Sequence, residues 1–236
     1  MRAVGLGCVL ITLIMTPTGT ALCAGAALGR IEGTVTLNRR LAAGPMRFNL
    51  YPDAADASSS HAAHHAKTDE RRNVVVYLET VPSMAAAPGP ATPLVIRQED
   101  ETFVPHVLPI VKGETVQFVN GDPLYHNVFS LSRAATFDLG RLPRDASKSI
   151  RFDLPGAVKV FCHIHSDMSA IVLVLENAFF TVPDADGHFA LSGVPPGDYT
   201  MIAWHERAKP VVKSVHVEAG ATTALDLSVP VTEGDQ

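Results

Sequence analysis

From about residue 28 to the C-terminus the chain is built of short alternating or wholly apolar runs, each broken by Gly, Pro, Asn or Asp. Thr115 to Val119 (TVQFV) alternates and stops at Asn120-Gly121-Asp122. Ser149 to Leu154 (SIRFDL) sets Ile150, Phe152 and Leu154 on one face. Val158, Val160 and Cys162 share a face and Lys159, Phe161 and His163 the other, because successive strand side chains point to opposite sides. Ile171 to Leu175 (IVLVL) is apolar at every position, which predicts a strand covered on both faces. HFAL, YTMIAW, SVHV and ALDLSV carry the pattern to the C-terminus. No long 3.6-residue periodicity competes with it, so the expected fold class is all-β.

The N-terminus departs from this pattern. Arg2, an apolar run from Ala3 to Met15 and the small residues up to Ala26 have the layout of a secretory signal peptide over residues 1–26. The run is short for a bilayer span, so the expected product is exported, periplasmic or secreted, with no stable membrane insertion. Two internal stretches also depart. Ala54 to Arg72 (AADASSSHAAHHAKTDERR) is a polar insert, and Ser83 to Pro93 (SMAAAPGPATP) is an Ala/Pro-rich connection at a candidate domain junction.

Removing the leader changes the cysteine arithmetic. Cys8 and Cys23 leave with it, and Cys162 remains alone in an oxidising compartment where it has no internal disulfide partner. The formal charge moves from −5 to −6, which argues against nucleic-acid binding. A lone thiol there is a liability unless something holds it, and a metal would.

Cys162, His165 and Met168 follow one another at two-residue intervals, and His126 lies upstream just beyond the strand that ends at Val119. One thiolate, two imidazoles and a thioether make the His₂Cys set with a weak axial Met that holds copper in electron-transfer sites. Thiolate and thioether favour Cu(I), and imidazole suits both oxidation states. Zinc fits less well, because structural zinc prefers several thiolates or histidines and lacks thioether ligands. The expected cofactor is one type 1 copper ion.

Residues from about Val104 to Asn177 resemble the cupredoxin family, amicyanin above all, with plastocyanins and pseudoazurins beside it. The resemblance rests on Val111-Lys112-Gly113-Glu114-Thr115-Val116, on Asn120 and Asp122, on His126-Asn127-Val128, and on the short Cys162-x-x-His165-x-x-Met168 spacing. It implies an eight-stranded Greek-key β-sandwich with copper near one end, held by His126, Cys162, His165 and Met168. It also implies that the Asn127 side chain braces the two ligand-bearing loops near the sulfur. The family's electron exit is the edge of the last histidine, here His165, within an apolar patch that Pro123, Leu124 and Ile164 could supply. His163 departs from the amicyanin pattern and is expected to point away from Cys162.

Ala178 to Glu206 resembles a second family, the carboxypeptidase regulatory-like or transthyretin-like sandwich, through Asp184-x-Asp186-Gly187-x-Phe189 and Val194-Pro195-Pro196-Gly197-x-Tyr199. Its two opening strands are missing there. Ile31-Glu32-Gly33-Thr34-Val35 and Asn73 to Glu79 resemble them. The expected organisation is a leader (1–26), N-terminal transthyretin-like strands with the His-rich insert (28–82), a copper domain (93–177) and the rest of the transthyretin-like sandwich (178–236). Alternatively, residues 28 to 82 extend the copper domain.

The combination resembles bacterial methylamine-utilisation-type proteins with a cupredoxin domain. It implies a non-enzymatic carrier of single electrons between transient redox partners. Two other readings stay open: copper storage or trafficking, to which His61, His64 and His65 would contribute, and a structural β-protein with a vestigial copper site.

Overall fold

The computed structural model describes residues 27–40, 70–81, 94–165 and 167–232. Its secondary structure there is strands and one short 3-10 turn, Glu70–Asn73. The leader, His61, His64, His65 and the Ser83 to Pro93 connection lie outside the described residues. Among the described residues no helix is long and apolar enough to cross a membrane.

In chain order the strands are β1 (Gly29–Arg40) and β2 (Val75–Leu78), then β3 (Val95–Glu99), β4 (Thr102–Val104), β5 (Val107–Val111), β6 (Thr115–Asn120), β7 (His126–Ser132), β8 (Ala135–Leu142), β9 (Ser147–Arg151), β10 (Gly156–Phe161) and β11 (Ser169–Leu175). After them come β12 (Phe180–Thr181), β13 (His188–Val194), β14 (Gly197–Trp204), β15 (Val211–Val217), β16 (Thr222–Ala224) and β17 (Leu227–Thr232).

Strands β3 to β11 build one sandwich. The sheet β5-β11-β10-β7-β8 covers the sheet β4-β3-β6-β9 over a core that includes Ile96, Phe118, Phe152, Val158, Val160 and Val172. The resemblance implies eight strands. Nine are present, one of them only three residues long.

The remaining strands build a second pair of sheets. β1 pairs with β13, β16 and β17, while β12-β2-β14-β15 forms the other layer. Their shared core holds Ile31, Val35, Val76, Leu78, Phe189, Met201 and Val229. Strands from the two ends of the chain therefore complete each other's sheets. The tight turn before β13 is held by Asp184, whose Oδ1 accepts the N–H groups of Asp186 and His188 at 2.9 Å. An aspartate that accepts backbone N–H groups a few residues on is a common way to set such a turn.

β11 joins the two sandwiches. Ala170, Val172 and Val174 face the core of the first. Ile171, Leu173 and Leu175 face outward into a separate buried cluster with Val75 and Val107, against which Tyr77, Phe180, Val182 and Trp204 pack. Coverage on both faces explains why IVLVL has no polar alternation. SIRFDL turns out differently. β9 ends at Arg151, Phe152 is fully buried, and Leu154 is exposed, because the chain turns there to cross from one sheet to the other.

A polar latch lies at the same joint. His106 Nε2 is 2.7 Å from Glu206 Oε1, and its Nδ1 is 3.1 Å from the carbonyl oxygen of Ser169. Both partners only accept, so the ring donates from both nitrogens and is an imidazolium. The hydrogen bond to Glu206 raises the His106 pKa against the opposing effect of burial, and the same bond lowers that of Glu206. His106 stabilises fully below the ordinary histidine value of 6.5 and loses this as pH rises through its raised value. Glu206 contributes above the ordinary 4.5 and loses this as pH falls. Glu206→Gln is therefore expected to cost about 1–2 kcal/mol near pH 6, and less above pH 8, in urea titrations. A cost that does not change with pH would remove the charged pair. Buried His205, beside Glu70 and Arg207, has its pKa lowered chiefly by desolvation and shifts stability with the opposite sign. Glu206 also acts on His205 through space, opposing that lowering, so Glu206→Gln changes both histidines and the latch is read from the direction of the pH dependence.

Candidate metal centre

The predicted residues converge at one end of the first sandwich. His126 opens β7, while Cys162, His165 and Met168 occupy the tip of the β10–β11 hairpin. The tip is closed by the Cys162 N–H to the Met168 carbonyl (3.2 Å) and the Met168 N–H to the His165 carbonyl (3.2 Å). That puts three of the predicted residues, within a span of seven, on one hairpin tip. Cys162 is buried and free, Met168 is 1 % exposed, and His126 is fully buried.

The nitrogen and sulfur atoms of His126, Cys162 and His165 lie within 4.8 Å of one another. His126 Nδ1 is 3.1 Å from His165 Nδ1, and Cys162 Sγ is 3.9 Å from His165 Nδ1. Donors about 2.0–2.3 Å from a common ion, spread in a plane, would sit roughly 3.5–3.8 Å apart. The two sides that meet at His165, 3.1 and 3.9 Å, bracket that range. Met168 is buried in the adjoining core, on the same hairpin tip.

Hydrogen bonding decides which ring nitrogen of His126 faces the cluster. Its Nε2 lies 2.7 Å from Asp122 Oδ2, and a carboxylate can only accept, so Nε2 carries a proton and Nδ1 is the nitrogen left to face the cluster. Two Nδ1 atoms 3.1 Å apart need a proton or a cation between them. The donor set thus fits a soft, low-coordinate metal, and without one the proton between the two rings takes its place.

Asp122 was not singled out as a functional residue by its sequence context, although Asp-Pro-Leu-Tyr-His places a carboxylate four residues before a candidate ligand. It is buried and also accepts the N–H of Asp100 (2.8 Å) and of Glu101 (3.0 Å). Burial pushes its pKa up, but the Glu101 N–H, the His126 ring and the Asp100 N–H together hold it below the usual carboxylate range. Asn120 completes the support. Its Oδ1 accepts the Asp122 N–H, and its amide donates to the Leu124 and Leu142 carbonyls.

Asn127 braces the site differently from the resemblance. Its backbone N–H, not its side chain, points at Cys162 Sγ, 3.4 Å away. The side-chain amide donates to Asp138 on β8 at 2.8 Å, and Oδ1 is buried with no hydrogen-bond partner among the described residues. His163 points away from the cluster as expected and stacks on Phe129, with ring centroids 3.6 Å apart. His165 is half-buried, and Glu101 Oε2 lies 3.6 Å from its Nε2 edge. Leu124 and Tyr125, just before His126, and Ile164, just before His165, are exposed.

No protein-family model matches the chain. Two curated proteins named "Probable rhamnogalacturonate lyase A" share short segments with it. The one from Aspergillus flavus is 39% identical over 57 residues, 24% of this chain and 11% of that protein. The one from Neosartorya fischeri is 31% identical over 98 residues, 40% of this chain and 17% of that protein. The chain spans less than a fifth of the length of these relatives. Among solved structures, a Cu-containing nitrite reductase from Thermus scotoductus matches at TM-score 0.35 and 25% identity, over 42% of this chain and 26% of that one. A purple cupredoxin from Nitrosopumilus maritimus matches at 0.31 and 23%, over 34% and 97%. A Cu(I) amicyanin variant matches at 0.33 and 20%, over 43% and 98%. These likenesses are local, and what the centre can do follows from its own residues.

Proposed function

We propose that this chain is an exported carrier of single electrons that binds one copper ion through His126 Nδ1, Cys162 Sγ and His165 Nδ1, with Met168 as axial thioether. The observation that carries the reading is His126 Nδ1, turned toward His165 Nδ1 by the hold of Asp122 on Nε2, beside a buried free thiol. Copper, when bound, supplies a one-electron couple that a thiolate, two imidazoles and a thioether can hold in both oxidation states.

The protein's part is to keep that donor set still. His126 is locked in the core by Asp122, the hairpin tip is closed by two backbone bonds, and the Asn127 N–H supports the sulfur. The half-buried His165 edge is the exit for the electron, with Leu124, Tyr125 and Ile164 exposed close to the two histidines in sequence. Glu99, Asp100 and Glu101 form an exposed acidic turn beside it, which suits a transient redox partner with a basic rim. The second pair of sheets is read as one transthyretin-like sandwich into which residues 93–177 are inserted. The Arg2-led apolar leader supports export.

The test is the visible and EPR spectrum of the mature protein with one equivalent of Cu(II), beside Cys162→Ser. An intense thiolate-to-copper band, absent from the variant, with reversible voltammetry and electron exchange with a basic redox protein that slows as salt is added, is the expected result. A weak spectrum unaffected by Cys162→Ser would sink the reading.

A further inference from the structure

β3 and β4 are joined by only two residues, Asp100 and Glu101, with Glu99 paired to Thr102 across the turn. Both have positive φ, 51° and 55°. That is the geometry of a type I′ hairpin turn, which favours Asn-Gly and which neither Asp nor Glu adopts without strain. Thr102 Oγ1 donates to the Asp100 carbonyl at 3.3 Å, and the Asp122 side chain holds both turn N–H groups. Asp122 takes the Asp100 N–H on Oδ1 and the Glu101 N–H on Oδ2, and with Oδ2 it also takes the proton of His126 Nε2.

We propose that Asp122, gripped by the Asp100–Glu101 turn, is the positioning residue that fixes the His126 tautomer and holds the reduction potential of the bound metal down. The inference rests on the copper reading above. A carboxylate on the far nitrogen gives the imidazole partial imidazolate character and makes Nδ1 a stronger donor, which favours Cu(II) over Cu(I). The turn matters because a carboxylate free to rotate would not keep one oxygen on the ring. Two backbone N–H groups fix its plane, and the Asn120 side chain fixes its backbone. Glu101 extends the arrangement, since its side chain faces Nε2 of His165. One strained turn thus addresses both histidines, the first through Asp122 and the second directly.

The experiment is Asp122→Asn, with Asp122→Glu as the conservative rescue. Asp100→Asn/Glu101→Gly serves as the background that makes the turn comfortable without its anion, should Asp122→Asn alone fail to fold. Loss of the carboxylate is expected to weaken Cu(II) binding about 10–100-fold while Cu(I) binding changes little. Each tenfold of that difference raises the potential by about 59 mV. In the metal-free protein, nitrogen NMR is expected to show His126 as the Nε2–H tautomer in wild type and as a mixture in Asp122→Asn, with Asp122→Glu moving both readouts back.

An unchanged potential and an unchanged tautomer, with the thiolate band intact, would overturn the role of Asp122 and leave the copper reading standing. A wild type that shows no such band would overturn the copper reading. The tautomer in the metal-free protein would still decide whether Asp122 orients the ring.

Discussion

Exchange of His126 for alanine is expected to cost the metal-free protein about 3–5 kcal/mol and to abolish tight copper binding. Two losses coincide. The ring is fully buried, so its removal leaves a cavity where β7 meets the hairpin tip. It also takes from a carboxylate, 7 % exposed, the one side-chain donor it has among the described residues, leaving the Asp100 and Glu101 N–H groups alone to hold a largely buried charge. His126→Gln fills more of the space and returns a donor, so it should recover part of the stability but not the thiolate band. Urea midpoints of the metal-free variants and copper stoichiometry after desalting check both halves. A midpoint equal to wild type would show that the ring is not tied into the core. A retained band at one copper per chain would remove His126 from the ligand set.

The second large effect lies away from the metal. Leu173→Asp is expected to destabilise by more than about 4 kcal/mol, through loss of a buried leucine and the placing of an unpaired charge against Val75, Tyr77 and Trp204. Leu173 is 4 % exposed and sits on the face of β11 that meets the second pair of sheets. Calorimetry should then show the wild-type transition split in two, as each sandwich loses the other's support. Leu154→Asp, at a leucine 57 % exposed, should stay within about 0.5 kcal/mol. Equal, small effects at both positions would mean that the joint carries no stability.

These two leucines show what the sequence made legible. The doubly covered strand could be read because burial on both faces removes every polar position from IVLVL. Leu154 could not be placed, because alternation continues on paper through a segment where the chain changes sheets. Strand β8 escaped notice for a related reason: it lies at a sheet edge, only one of its eight residues is buried, and its contrast is weak. At the site, His126, Cys162, His165 and Met168 were legible as residue types at a spacing, and His163 as the wrong face of a strand. The supporting groups were not. Asp122 acts through a strained turn some twenty residues upstream, and Asn127 reaches the sulfur with its backbone, which every residue possesses.

The exit of the 93–177 segment meets β2. The Asn177 side chain donates to the Leu78 carbonyl at 2.9 Å, and Leu78 donates its N–H to Phe179 at 3.0 Å. Before anything folds, β2 (Val75–Leu78) and β12 (Phe180–Thr181) are separated by roughly 100 residues of chain, and bringing them together is opposed by loop-closure entropy. Once the intervening sandwich has formed, the effective loop shrinks to the links outside it, residues 79–94 and 176–179, about 20 in all. At about 0.6 kcal/mol per halving of loop length, that lowers the closure cost by roughly 1.4 kcal/mol. Assembly therefore has a preferred order, the inner sandwich first and the outer one on its back, and an ion that steadies the first would speed the second without touching it.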